Sequence, residues 1–220
     1  MKRGKYLGIN ERKSKETEIR KNDIIDAAER VFFEKGYERA TMDDVAGQAE
    51  FSKRTLYAYF ESKEQIYFEI MIRGYRRLIG LLEERLARRF DGAREELREI
   101  AATYYEFSGT HPHYFRAIVE YENSVDDFQN KIPDASRDQC YALGEKALGF
   151  VKAALKRGVG EKAFRSDLAI DRTTMTLWAC MLGIFGTAQK KKGYIENFYG
   201  IDTESFIRDG CLLLIRALEP

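Results

Sequence analysis

The sequence contains little of what builds β-sheets and irregular loops. Its 220 residues include only three prolines, and no stretch combines sustained two-residue apolar alternation with the Asn-Gly or Asp-Gly turns of hairpins. Apolar residues instead recur at three- and four-residue spacing over long segments, which is the pattern of amphipathic helices. We therefore predict an all-α fold without internal repeats.

Cysteine and histidine are also scarce. Cys140, Cys180 and Cys211 are scattered without a Cys-x-x-Cys pair and fit buried thiols in a reducing compartment. His111 and His113 would project from different helix faces, and no third metal ligand stands beside them. No glycine-rich phosphate loop, Gly-x-Ser-x-Gly or His-Glu-x-x-His motif occurs. The sequence therefore predicts no metal, no cofactor and no enzymatic activity.

An excess of one charge and long apolar runs are absent as well. Lysine and arginine number 37 against 36 aspartates and glutamates, which argues against a general polyanion binder. The longest apolar run, Leu177 to Phe185, is far shorter than the ~20 residues of a membrane-spanning helix. The basic start is not followed by the apolar run of a signal peptide. We predict a cytoplasmic protein without a membrane segment.

Local charge is uneven at the start of the chain. Residues 1–22 hold eight lysines and arginines and three glutamates, without apolar periodicity. We interpret residues 1–17 as a flexible basic arm. Two interpretations of this arm stay open: a solvated tail, and a segment that contacts the minor groove or the phosphates of DNA.

Residues 41–63 carry the strongest local signal. Thr41 followed by Asp44 predicts a capped helix start, and Ser52 predicts a second start after a tight break at Glu50 and Phe51. The second helix has an inward face around Leu56. Its outward face begins with cations, hydroxyls and a phenol, which is what a recognition helix presents to the major groove.

This stretch resembles the DNA-binding domain of the tetracycline-repressor (TetR) family, over about residues 18–78. The resemblance rests on a set of short matches: Ala27-Ala28, Phe32, Lys35-Gly36-Tyr37, Thr41-Met42, Val45-Ala46, Ala49, Ser52-Lys53, Thr55-Leu56-Tyr57, Tyr59-Phe60 and Ser62-Lys63. It implies a three-helix helix-turn-helix domain over residues 18–63 and a helical effector-binding and dimerisation domain over residues 64–220. A helix over residues 64–90 would connect the two.

The resemblance also implies which residues meet DNA. Base edges and phosphates would be contacted by Thr41, Ser52, Lys53, Arg54, Thr55, Tyr57, Ala58, Tyr59 and Lys63. Tyr59 has an alternative place in the core, beside Leu56 and Phe60. One departure from the family pattern is Glu50, where glycine is usual; if that position needs a left-handed backbone, glutamate costs about 1 kcal/mol.

The last two predicted helices, near residues 170–190 and 203–218, are apolar on more than one face. A helix without a polar face must be covered on both sides, which favours a homodimer with a four-helix interface over a monomer with fully buried helices. The predicted interface consists of Met175, Leu182, Gly186, Ile207, Cys211, Leu214, Ile215 and Leu218. We expect Gly183 and Gly186 to let the helices approach closely.

The middle helices are rich in aromatic residues, which fill a core or line a pocket. By resemblance, such a pocket would bind a small apolar or aromatic effector whose binding moves the recognition helices away from a palindromic operator. The predicted lining is Tyr104, Phe107, Phe115, Val119, Tyr141, Trp178, Met181 and Phe185. Glu120 and Glu122 would favour a cationic ligand.

Together these patterns predict a ligand-responsive homodimeric transcriptional regulator, in the first instance a repressor. Two other interpretations stay open at this point. One is an all-α small-molecule-binding protein or enzyme without DNA binding. The other is a DNA-binding dimer without an effector.

Overall fold

The computed structural model describes residues 8–122 and 134–220 of the chain. Over these residues it is helical, and the all-α prediction is confirmed. The helices are α1 (Ile9–Lys35), α2 (Met42–Gln48), α3 (Lys53–Tyr59), α4 (Lys63–Leu86), α5 (Ala93–Thr110), α6 (Pro112–Glu122), α7 (Ala135–Gly160), α8 (Ile170–Lys190), α9 (Lys192–Tyr199) and α10 (Thr203–Arg216). None of these helices combines the length and apolar character needed to cross a membrane.

The chain forms two compact units. The first comprises Met1–Ile72 and Lys131–Cys140, and the second comprises Arg73–Asn130 and Tyr141–Pro220. The boundaries fall inside α4 and α7, so each of these helices has residues in both units. A division between residues 63 and 64 was predicted; the contacts instead place the first turns of α4 with the N-terminal helices.

The first unit is built on the inward faces of α1 to α4. Its fully buried core side chains come from all four helices and include Ile24, Ala28, Val45, Leu56 and Ile66. Helix α1 ends at Gly36, which has a φ of 80° and donates its N–H to the Phe32 carbonyl. This left-handed residue lets the chain turn sharply into α2.

Helix α1 is longer than the sequence pattern indicates. Residues 1–17 were predicted to form a flexible arm, but the helix begins at Ile9, where Glu11 accepts a 3.1 Å hydrogen bond from the Gly8 N–H. Arg20 and Glu16 form an exposed ion pair at 2.7 Å one turn apart, which supports the helix in a segment without an apolar face. Of the predicted arm, residues 1–7 lie outside the described part of the chain.

The second unit is a helical bundle with an apolar centre. Leu82, Phe107, Ala154 and Leu155 are fully buried, and Phe185 is 1% exposed. In this unit α5 packs against α6 and α10, and α8 packs against α10. The bundle therefore brings α5, α8 and α10 together.

Helix α9 has no counterpart in the sequence prediction. It is only eight residues long, and Gly200, in a left-handed conformation with a φ of 68°, ends it. Its aromatic residues Tyr194, Phe198 and Tyr199 are exposed and contact one another, with ring centroids 5.2–5.4 Å apart. Periodicity reveals helices through their buried faces, and α9 buries only Ile195.

Candidate functional site

The turn between α2 and α3 is tight. The Glu50 N–H donates to the Gly47 carbonyl at 3.2 Å, and the Phe51 N–H donates to the Ala46 carbonyl at 3.0 Å. Glu50 has a φ of 57°, so the position where glycine was expected does adopt the left-handed conformation. Glutamate adopts this conformation at a cost of about 1 kcal/mol relative to glycine.

Both predicted helix caps are present. Thr41 Oγ1 accepts a 3.1 Å hydrogen bond from the Asp44 N–H, and an Asp44 carboxylate oxygen accepts from the Thr41 N–H at 3.0 Å. Ser52 Oγ accepts from the Thr55 N–H at 3.0 Å and lies 2.8 Å from Thr55 Oγ1. These caps fix where α2 and α3 begin and therefore which side chains face outward.

Asp44 is also held by Lys35, the last residue of α1, whose ammonium lies 2.6 Å from a carboxylate oxygen. This hydrogen bond, together with those from the Thr41 side chain and backbone, lowers the Asp44 pKa to about 2. The ionised form of Asp44 thus ties the end of α1 to the start of α2.

Helix α3 presents its polar residues on the side opposite Leu56. Leu56 is fully buried, whereas Lys53, Arg54 and Ala58 are exposed and the Tyr57 side chain is 46% exposed. Ser52 is exposed and Thr55 and Tyr59 are half-buried. The exposed side of this helix therefore carries two cations and a phenol beside a small residue, and it has the dimensions and chemistry of a helix that enters a major groove.

The two cations differ in their surroundings. Lys53 Nζ lies 2.8 Å from an Asp43 carboxylate oxygen, and the hydrogen bond to Asp43 raises the pKa of the Lys53 ammonium. Over the described part of the chain, the Arg54 side chain has no ion-pair or hydrogen-bond partner. Arg54 is consequently available to a ligand without exchanging a contact, whereas Lys53 could bind a ligand only by giving up its contact with Asp43.

The sequence left two places open for Tyr59, a DNA contact and a position in the core, and the structure has features of both. It is half-buried, and its hydroxyl, near Arg20 of α1, raises the pKa of the Arg20 guanidinium more than the nearby Glu16 does. The Tyr59 ring therefore belongs partly to the α1–α3 contact. Its hydroxyl lies at the surface next to a cation.

Lys63, implied by resemblance to meet a phosphate, is engaged within its own unit. Its ammonium donates to the carbonyls of Tyr37 at 2.8 Å and Ala40 at 3.1 Å and lies 4.2 Å from the centroid of the Tyr37 ring. Burial of Tyr37, with Glu64 and Glu38 nearby, raises the Tyr37 pKa to about 12. Sequence spacing gave no sign of these contacts, because their partners lie more than twenty residues earlier in the chain.

The helix pair falls inside the region matched by a known protein family. The family model described as "Bacterial regulatory proteins, tetR family" matches residues 24–70, which include α2, the turn, α3 and the start of α4. Over these residues the chain is similar to the tetR family. The helix-turn-helix lies within the matched residues, and this match supports a DNA-binding regulator.

Curated relatives agree with this assignment. The HTH-type transcriptional activator FasR of Mycolicibacterium smegmatis is 31% identical over 101 residues, and this chain covers 46% of its length. The negative transcriptional regulator IcaR of the icaADBC biofilm operon in Staphylococcus aureus is 23% identical over 80% of this chain and 93% of its own length. The relatives include both an activator and a negative regulator, so the family alone does not fix the direction of control.

A solved structure shows the same fold. The crystal structure of the transcriptional regulator FadR from Bacillus subtilis in complex with stearoyl-CoA has a TM-score of 0.64 at 19% identity, covering 88% of this chain and 96% of that chain. The similarity therefore extends through both units and confirms the predicted architecture of an N-terminal helix-turn-helix domain and a C-terminal helical domain.

The residues expected to line an effector pocket lie in several different environments. Tyr104, Phe107 and Phe185 are at most 1% exposed and fill the core, and Phe115 is buried as well. Val119 is half-buried and Tyr141 is 36% exposed. Trp178 and Met181 alone of the predicted set line a cavity of about 50 Å³, which is surrounded by apolar residues of α5, α7, α8 and α10. The side chains of Glu120 and Glu122 lie outside the described residues.

The residues expected at a dimer interface also differ in their exposure to solvent. Ile207, Ile215 and Leu218 are buried within the single chain, and Met175 is 53% exposed. Leu182, Gly186, Cys211 and Leu214 are half-buried. The close approach of α8 and α10 occurs at Gly210, where an added Cβ would lie 3.0 Å from Ile184 Cδ1, whereas Gly183 and Gly186 have open space beside them in the single chain.

Proposed function

We propose that this protein is a homodimeric regulator that reads a palindromic site in double-stranded DNA and leaves it when a small molecule binds its helical bundle. The observation that supports DNA reading best is the exposed side of α3, with Lys53, Arg54 and Tyr57 opposite the fully buried Leu56. We assign base and phosphate contacts to this side and to the Thr41 and Ser52 caps.

The DNA contact can be tested by fluorescence anisotropy, with the full chain and duplex DNA from immediately upstream of its own coding region. The Arg54→Ala variant should bind this DNA at least tenfold more weakly. In a plot of log affinity against log salt concentration, Lys53→Ala should make the slope less steep by roughly 1.8. Each of two symmetry-related phosphate contacts contributes about 0.9 to that slope. Arg89→Ala, at an exposed arginine outside the helix-turn-helix, is the matched control. Equal binding by all three variants would refute the assignment of this surface.

A dimer is supported by the apolar residues that α8 and α10 leave exposed. Met175 on α8 is 53% exposed and Leu213 on α10 is 68% exposed. A second copy would bury these side chains and fill the space beside Gly183 and Gly186. The dimer would place two α3 helices about 34–36 Å apart, the separation of successive major grooves on one side of DNA.

Sedimentation equilibrium tests this interface directly. A Met175→Glu and Leu213→Glu double variant should sediment as a monomer, because it places two charges in the proposed contact. Ile19→Glu, at an exposed isoleucine of α1 with 52% exposure, should leave the mass unchanged. A double variant that keeps the parent mass would rule out this face as the interface.

The effector response is supported by the cavity beside Trp178 and by the shared helix α4. FadR is crystallised with stearoyl-CoA, and it has the same fold. A ligand that prefers the state unable to bind DNA must lower DNA affinity, and DNA must weaken the ligand by the same factor. We propose that α4, which has residues in both units, transmits this coupling. A ligand that binds the protein more tightly when DNA is present would contradict release from DNA. The protein would then be a regulator whose DNA binding is strengthened by its ligand.

A further inference from the structure

An open cleft separates the exposed edges of α5 and α10 in the second unit. Its volume is about 570 Å³, which lies in the ordinary range of small-molecule sites. The floor is formed by small and apolar side chains, among them Ala101, Ala102 and Leu212. The rim carries three arginines and one glutamate: Arg98, Arg208, Arg216 and Glu204.

The two helices run in opposite directions, so the charged side chains of the rim are divided between the two ends of the cleft. Arg94 near the start of α5 pairs with Glu219, just beyond the end of α10, at 2.8 Å. Arg98, one turn after Arg94, therefore lies toward the same end as Arg216. The other end holds Tyr105, Glu204 and Arg208. One end of the cleft thus has two cations without a carboxylate of the rim beside them.

These two arginines lack internal partners. Both are exposed, and across residues 8–122 and 134–220 neither guanidinium has a hydrogen bond or an ion pair. Arg208 differs, since it donates to Ser205 Oγ at 2.7 Å and lies 3.6 Å from Asp209. Guanidinium groups bind carboxylate and phosphate through paired hydrogen bonds, and two of them lining one end of a cleft attract an anion more strongly than either alone.

The cleft lies next to the apolar cavity of the bundle. Ala101 and Cys211 line both spaces, and Trp178 and Met181 lie on the inner side. The inner cavity has a volume of about 50 Å³. Burial raises the pKa of the Cys211 thiol, as expected for a side chain in apolar surroundings. A molecule at this position would meet charge at one end and hydrocarbon at the other.

We propose that this cleft binds an amphiphilic anion, with its carboxylate or phosphate between Arg98 and Arg216 and its hydrocarbon chain across Ala101 and Cys211 toward Trp178. The inference rests on the proposed effector response and names the chemical class of that effector. It replaces the expectation of a neutral aromatic or cationic ligand, because the charges that line the cleft favour an anion.

The chain has a single tryptophan, Trp178, which makes its fluorescence a reporter of the inner cavity. Purified full-length protein without DNA is titrated with decanoate, decyl phosphate and decyltrimethylammonium, all below their micelle concentrations, and with 10-bromodecanoate, whose bromine quenches tryptophan on contact. We expect saturable binding of one or both anions, quenching by 10-bromodecanoate, and no saturable effect of the ammonium compound. The relative affinities of decanoate and decyl phosphate identify the head group.

Two variants locate the head and the chain separately. Arg98→Ala with Arg216→Ala should weaken binding of the preferred anion at least tenfold, whereas Arg89→Ala should not change it. Ala101→Phe should abolish quenching by 10-bromodecanoate, because the larger side chain would stand between the cleft and Trp178. Circular dichroism of each variant establishes that the fold is retained.

The failures of the two proposals can be told apart. Saturable anion binding that leaves DNA affinity unchanged would keep this site and refute the effector response. If another class of compound releases the protein from DNA and the anions do not bind, the anion site is refuted and the effector response is retained. Preferential binding of the ammonium compound would also overturn the proposal. So would a change in sedimentation mass of the double arginine variant, which would indicate that a second copy of the chain occupies the cleft.

Discussion

The Lys63 ammonium donates a hydrogen bond of 2.8 Å to the backbone carbonyl of Tyr37. A second bond of 3.1 Å goes to the Ala40 carbonyl. The first residue of α4 therefore holds the turn between α1 and α2, and the start of α4 and the helix-turn-helix belong to one compact unit. A displacement of the start of α4 should consequently carry the recognition helix with it.

We predict that Lys63→Met lowers the free energy of unfolding by roughly 1–3 kcal/mol, because it removes charged hydrogen bonds to partly buried carbonyls. Urea unfolding monitored by circular dichroism measures this change. Lys146→Met, which breaks an exposed ion pair with Glu83, should stay within about 0.5 kcal/mol of the parent protein. A Lys63→Met protein with parental stability and weakened DNA binding would show that this lysine serves phosphate contact alone.

Glu50 occupies a left-handed position with a φ of 57°. Glycine adopts this conformation without the clash of a Cβ atom, so Glu50→Gly should stabilise the first unit by about 1 kcal/mol. Glu50→Ala, which keeps the Cβ and removes the carboxylate, is the control and should give little of the gain. An equal gain in both variants, measured by urea unfolding, would attribute the effect to charge and not to the backbone.

If Lys53 contacts DNA as proposed, Asp43 competes with DNA for its ammonium, because a 2.8 Å ion pair joins the two side chains. Asp43→Asn should therefore tighten binding to DNA, since it frees Lys53 and removes a negative charge close to the phosphates. The gain should shrink as salt is raised in an anisotropy titration. Asp23→Asn, at an exposed site of α1, controls for the change in net charge. Weaker binding by Asp43→Asn would mean that the ion pair orients Lys53 for DNA.

The contacts that were predictable from the sequence are those between near neighbours. Thr41 and Ser52 cap their helices by bonding residues three positions later, so the spacing alone shows them. The left-handed backbone at Glu50 was only a condition in the sequence analysis, raised by the glycine that is usual there. Lys63 and its carbonyl partners are separated by 23 and 26 residues, and no local pattern reports such a contact.

In the second unit, too, contacts between residues distant in sequence could not be predicted. Aromatic content indicated a pocket, but Tyr104 and Phe107 proved to be core residues, because burial depends on how helices distant in sequence face one another. Arg98 and Arg216 lie 118 positions apart and share no local sequence pattern, yet the antiparallel packing of α5 and α10 places them along one cleft. Side-chain type was readable from the sequence, whereas the pairing of helix faces was not.

The pKa of Asp44 gives a prediction for acid stability. Its folded-state pKa is lowered to about 2 from the ordinary 3.8, so its contribution to folding is fully present above pH 4 and is lost as the pH falls toward 2. Asp44→Asn should remove that part of the pH dependence, and its unfolding temperature should differ from that of the parent protein most at neutral pH.

Circular dichroism melts between pH 6 and pH 2 measure this difference, with Asp23→Asn as the control for loss of an exposed carboxylate in α1. Lys35→Met should reproduce much of the Asp44→Asn profile, since the hydrogen bond from Lys35 is the largest cause of the lowered pKa. Parallel melting curves for the parent protein and Asp44→Asn across the whole range would show that the Lys35–Asp44 contact does not stabilise the helix-turn-helix. The start of α2 would then depend on the Thr41 hydroxyl alone, and Thr41→Ala would destabilise the unit at every pH in that range.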